Sequence, residues 1–204
     1  MGRLTGIYAI LDAETAPPLA LAREVLAAGV RLIQYRAKDG ADRPLVRELH
    51  ALAQAHDAML VVNDDLEVAL EADGLHAGQE DLQRLGAQRV RARLAGKLFG
   101  VSCATPLEAR AAAALGADYL GAGPLNATAS KADAGAAIGA AGLRAVVAAT
   151  SLPVAAIGGI ELVDLERVVA SGASMAAVIS AIARAPDRAA MARALVARWE
   201  MLTR

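Results

Sequence analysis

Two apolar runs in the first half of the chain end in acidic residues. One is Val61-Val62-Asn63-Asp64-Asp65; the other, Gly74-Leu75-His76, runs on through Ala77-Gly78-Gln79-Glu80 to Asp81. If both runs are parallel strands, Asp64 and Asp81 leave the same rim of one sheet. Two carboxylates beside the amides of Asn63 and Gln79 suit a hard divalent ion such as Mg²⁺. The competing reading makes such aspartates helix caps. Capping is the expectation for Asp65, and metal binding for Asp64 and Asp81.

A second charged set follows Leu32 and Ile33: Gln34-Tyr35-Arg36-Ala37-Lys38. Gln34, Arg36 and Lys38 alternate, so an extended chain sends them to one side. Arginine offers a planar fork to phosphate oxygens, and lysine a compact point charge. Joined by Lys131, they could hold a diphosphate whose remaining charge the metal at Asp64 and Asp81 would offset. Gly158-Gly159 and Ile179-Ser180 form a different kind of anion site, in which backbone N–H groups receive a phosphate monoester. No convincing nucleophile–base pair is present. His50 and His56 fall on or near one helix and read as surface residues, His76 as a packing residue at the rim, and Cys103 as a small residue after a strand.

These groups need a scaffold that brings distant segments to one rim. The apolar runs 7–11, 31–35, 59–62, 74–76, 99–102, 119–122, 153–157 and 175–179 read as eight strands. Helices are expected between them at about 17–28, 42–55, 81–90, 106–116, 143–149 and 162–172, with a last helix lined by Met191, Leu195, Trp199 and Leu202. Leu66 to Leu70 is a short amphipathic piece. Strict alternation over 204 residues predicts one α/β domain, residues 1–204, a single (β/α)₈ TIM barrel rather than an open doubly wound sheet. Such a barrel keeps its site at the C-terminal rim, where the candidate metal and phosphate residues named above fall. The long run of small residues from Gly123 to about Gly139 is the expected lid or substrate loop.

Composition excludes other classes. A formal net charge of −1 argues against general nucleic-acid binding, and no apolar run is long enough to span a bilayer. The single cysteine and the lack of a signal-peptide pattern predict a cytoplasmic protein acting on small molecules, and leave room for a homo-oligomer.

Taken together, Gln34-x-Arg36-x-Lys38, Asn63-Asp64-Asp65, His76-x-Gly78-Gln79-Glu80-Asp81, Gly100-Val101-Ser102, Gly123-Pro124, Thr128-x-Ser130-Lys131, Ile157-Gly158-Gly159-Ile160 and Ser180-Ala181-Ile182 resemble the thiamine phosphate synthase family, in its order and over essentially the whole chain. The resemblance implies a transferase joining hydroxymethylpyrimidine diphosphate to a thiazole phosphate by a dissociative, Mg²⁺-assisted route. It implies that Gln34 to Lys38 (including Tyr35 and Ala37), Asn63, Ser102 and Lys131 contact the pyrimidine diphosphate. Arg36, Lys38, Ser102 and Lys131 would carry the chemistry, and Asp64 and Asp81 the metal. Thr128, Ala129, Ser130, Gly159, Ile179 and Ser180 would take the thiazole phosphate. Asn126-Ala127 stand where the family usually has an aromatic residue and proline, and Ala37 where it has glutamate. A sister family, the thiazole tautomerases, has a catalytic histidine where this chain has Pro124. A non-catalytic thiamine-pathway binding protein is the remaining alternative, and the choice of thiazole tautomer stays open.

Overall fold

Side chains alternate faces along a strand, so strand register decides which residues can reach a rim site. The computed structural model describes residues 4–128 and 135–204. Within them lie β1 (Gly6–Asp12), β2 (Leu32–Arg36), β3 (Met59–Asn63), β4 (Gly74–Ala77), β5 (Leu98–Cys103), β6 (Tyr119–Ala122), β7 (Val154–Ala156) and β8 (Met175–Val178). They pair in sequence order, all parallel, and Gly6 opposite Met175 closes the barrel. The expected (β/α)₈ architecture is the one observed.

One face of each strand packs outward. Ile7, Ala9 and Leu11 of β1 and Ile33 and Tyr35 of β2 belong to the layer between barrel and helices. The other face fills the barrel, with Tyr8, Ile10, Leu32, Val61, Leu98 and Tyr119 in one inner cluster. Burial on both faces explains the near-continuous apolar strands. Two large rings share the interior because β5 and β6 leave space for them. A Cβ on Gly100 would collide with the Tyr119 ring and His76 Nδ1, and one on Gly121 would sit 3.0 Å from His76 Cε1.

Local chemistry sets the helix starts. Pro18 opens α1 (Pro18–Ala27), where a missing N–H costs nothing. Asp42 caps α2 (Arg43–Gln54) by accepting from Leu45 N at 3.2 Å. Asp65 caps α3 (Leu66–Ala69) through Val68 N at 3.1 Å, as expected.

The single helix expected over 81–90 is two: α4 (Gln79–Leu85) and α5 (Ala87–Arg93). Gly86 separates them with φ 78°, a conformation no right-handed helix contains. Beyond β5, Thr105 and Glu108 form a reciprocal capping box on α6 (Pro106–Ala114). The next helix, α7 (Gly139–Ala148), begins four residues before the expected Leu143. A 3₁₀ turn (Leu162–Asp164) leads into α8 (Leu165–Ala170). A short α9 (Ser180–Ala183), absent from the sequence reading, precedes α10 (Arg188–Leu202). Among the described residues, no helix is long and apolar enough to cross a membrane.

Candidate active site

A cavity of about 320 Å³ opens at the C-terminal rim, a size that takes a small ligand. Gln34, Arg36, Asn63, Asp64, Asp81 and Ser102 line it from the β2–β5 side, and Thr128, Gly158, Gly159, Ile179 and Ser180 from the other. A second cavity of about 560 Å³ shares Arg36, Asn63, Asp64 and Asp81 with the first, and adds Ala37, Lys38, Arg84 and Arg89. The four shared residues thus border both cavities.

The charged side of the rim is already paired within the protein. Arg36 makes a short ion pair with Asp12, which is 2% exposed and lies directly opposite it in the β1–β2 register. Lys38 pairs with Glu14 at 2.7 Å, both half-exposed. Asp81, in the first turn of α4, makes no cap hydrogen bond and instead pairs with Arg84 at 2.8 Å. Asp64 accepts from Asn63 Nδ2 and from Gly78 N, the latter at 3.2 Å. Its backbone sits at φ 60°, a left-handed conformation that β-carbon sterics disfavour and that clusters at functional sites.

Beneath these charges runs a hydrogen-bonded chain. Gln34 Nε2 donates to the Tyr8 hydroxyl at 2.5 Å, and the Tyr8 and Tyr119 hydroxyls lie 2.8 Å apart. Tyr119 reaches His76 Nδ1 at 3.1 Å, and His76 Nε2 reaches Ser102 Oγ at 3.0 Å. Gln34 and Ser102, two of the expected ligand contacts, are therefore the ends of one chain through the barrel. Burial pushes both tyrosine hydroxyls well above the ordinary phenol range, so they stay protonated at neutral pH.

The opposite side of the rim is built from backbone. Gly158 and Gly159 turn the chain at φ 97° and 61°. A Cβ on Gly158 would lie 2.5 Å from that of Pro124. Only glycine satisfies both the dihedrals and the space there. Ile179 and Ser180 meet the cavity where β8 passes into α9.

Of the residues singled out in the sequence, the rim gathers Gln34, Arg36, Lys38, Asn63, Asp64, Asp81, Ser102, Thr128, Gly159, Ile179 and Ser180 around the two cavities. Ala37 borders the outer one. Tyr35 differs: its buried side chain packs in the barrel–helix layer, so any ligand contact would come from its backbone. Ala129, Ser130 and Lys131 lie outside the described residues. His76 is a buried packing and bridging residue, as expected, whereas His50 lies 3.2 Å from Asp73 and is only partly exposed. Burial, with Glu108 nearby, pushes the Cys103 thiol up to about 12, which leaves it a poor nucleophile.

Sequence reasoning missed Tyr8, Asp12, Glu14, Tyr119 and Arg84. For Asp12 a signal existed, since it ends β1 as Arg36 ends β2.

The carboxylates that border both cavities are donors of the kind Mg²⁺ takes. Asp64 and Asp81 both line the first cavity and offer hard carboxylate oxygens; among the described residues no group of three or more His, Cys, Asp or Glu side chains is placed to hold a metal ion. One or two carboxylates, completed by water and substrate phosphates, is the usual way of holding this ion.

A family model described as thiamine monophosphate synthase matches residues 7–182. The thiamine-phosphate synthase of Moorella thermoacetica is 47% identical over 184 residues, which cover 88% of this chain and 87% of that protein. A thiamine biosynthesis bifunctional protein ThiM/ThiE of Symbiobacterium thermophilum is 45% identical over 198 residues, 93% of this chain, and the chain spans 40% of that relative's length. The structure of a thiamine phosphate pyrophosphorylase from Pyrococcus furiosus matches with a TM-score of 0.88 at 34% identity, covering 98% of this chain and 97% of that one.

Proposed function

Because the chain belongs to the thiamine monophosphate synthase family, we propose that it is a transferase that joins hydroxymethylpyrimidine diphosphate to thiazole phosphate, yielding thiamine phosphate and diphosphate. The observation that carries this reading is the pairing of two unlike anion sites on one cavity: charged side chains on one flank, a glycine turn on the other.

The bond from the pyrimidine methylene carbon to the diphosphate oxygen breaks first, and its electrons leave with diphosphate. The resulting pyrimidine-stabilised cation is captured by the lone pair of the thiazole nitrogen. Charge builds on the leaving group, where Arg36 and Asn63 supply donors fixed by strand ends and Lys38 one from the turn after β2. Asp64 and Asp81 hold Mg²⁺, which when bound supplies Lewis-acid stabilisation of the diphosphate oxygens. Gln34 and Ser102, oriented from below by Tyr8 and His76, fix the pyrimidine. Gly159, Ile179 and Ser180, with Thr128, receive the thiazole phosphate. Lys131, Ala129 and Ser130 join these sets on sequence grounds. The bond-breaking and capture steps need no strong base, so the Ser102–His76 hydrogen bond at 3.0 Å serves to orient the serine rather than to activate a nucleophile. The free, buried Cys103 accords with a reducing cytoplasm.

Diphosphate release from the two substrates, with and without Mg²⁺, tests the reading. Wild type should turn over only with the metal, and Asp64→Ala should lose on the order of 10²–10³-fold in kcat. Tight binding of either phosphate without turnover would replace the transferase with a binding protein.

A further inference from the structure

The loop that follows β6 is fastened to the glycine turn by one side chain that does not line the cavity. Leu125 N donates to Ile157 O at 2.7 Å, and Asn126 N to Gly158 O at 3.0 Å, so the loop runs alongside the turn. The Asn126 amide then closes around it. Its Nδ2 donates to Gly159 O at 2.8 Å and to Asp164 Oδ2 at 3.2 Å, while its Oδ1 accepts from Arg167 Nη2 at 2.8 Å. Asp164 is held in turn by Arg167 at 2.5 Å and by Glu161 N at 2.9 Å. Both amide donors and the amide oxygen are thereby engaged, with partners on three separate segments. The fit leaves no slack, because a Cβ on Gly159 would stand 2.9 Å from Asn126 Cβ and Ala127 O.

We infer that Asn126 is a positioning residue that sets the orientation of the Gly158–Gly159 turn, and through it the affinity for the phosphate monoester of the thiazole substrate. Nothing else in the rim offers Gly159 O a side-chain donor among the described hydrogen bonds. A turn at φ 97° and 61° that loses this donor can swing its carbonyl and so re-aim the neighbouring N–H groups. An aspartate of the same shape keeps the oxygen that faces Arg167 but sets a carboxylate against Gly159 O and Asp164. The diphosphate side of the rim shares none of these contacts.

The inference rests on the transferase reading for its substrate, and steady-state kinetics with both substrates varied separates the two. Asn126→Ala and Asn126→Asp should each raise KM for thiazole phosphate about tenfold, the scale of one lost hydrogen bond to a fixed group, with KM for the pyrimidine diphosphate moving less than about twofold. Equal movement of both KM values, or of neither, would overturn it, as a merely structural role moves both. Should those variants fail to fold by circular dichroism, Arg167→Ala, which leaves the bond to Gly159 intact but frees the amide oxygen, must alone shift thiazole phosphate KM about two- to threefold; an unchanged value overturns the inference. If wild type shows no turnover, the transferase reading fails. Weaker calorimetric binding of thiazole phosphate by Asn126→Ala would still uphold the role of Asn126, and equal binding would end it.

Discussion

The two flanks of the rim prepare for a phosphate in opposite ways. On the β2–β4 flank three charges that could meet a ligand are already paired inside the protein: Arg36 with Asp12, Lys38 with Glu14, and Asp81 with Arg84. A diphosphate and its metal must therefore exchange partners with existing ion pairs. On the β7–β8 flank the groups are backbone dipoles, fixed by glycine dihedrals and by the clasp at Asn126. Binding there breaks no ion pair. One flank trades charge for charge, and the other keeps a shape ready.

The largest test removes the central cation. Arg36→Ala should cost on the order of 10²–10³-fold in kcat through lost stabilisation of the leaving group. It should also lower the melting temperature, because Asp12 would remain buried without its partner. A variant that loses activity alone, with an unchanged melt, would show that Asp12 and Arg36 are not a stabilising pair.

Ionic strength probes the contrast without mutation. Raising salt from 0.1 M to 1 M shortens the screening length from about 10 Å to about 3 Å. KM for the pyrimidine diphosphate should climb several times more steeply than KM for thiazole phosphate. Parallel slopes would erase the distinction between the flanks.

The smallest expected effect is at Lys38. Glu14→Gln removes a half-exposed partner from a pair of the kind that contributes little. KM for the diphosphate substrate should fall by less than about twofold at low salt. A large fall would mean that Glu14 holds Lys38 away from its ligand far more firmly than exposure suggests.

The strands were legible because burial on two faces leaves continuous apolar runs, and β6 at Tyr119–Ala122 coincides with its reading residue for residue. The rim residues were legible because barrel strands all end there. What stayed hidden depends on register between segments far apart in the chain. Nothing local says that Tyr8 and Tyr119, 111 residues apart, share a hydrogen bond. The assignment of Tyr35 shows the opposite lapse. The alternation that turned Gln34 and Arg36 inward also turned Tyr35 outward, a conclusion available from period two alone. Gly86 was visible, but the spacing of Leu82, Leu85 and Val90 continues across it, so periodicity did not reveal the break between α4 and α5. Asn126 looked like an ordinary loop residue because its three side-chain partners lie between positions 159 and 167.

The empty place at Gly100, filled by Tyr119 and His76, makes the history of this interior depend on the order of change. A lineage that first shrinks residue 119 opens a void, costly but survivable, into which residue 100 could later grow. A lineage that first enlarges residue 100 meets an aromatic ring with nowhere to go. The same pair of substitutions is thus open to inheritance in one sequence and closed in the other.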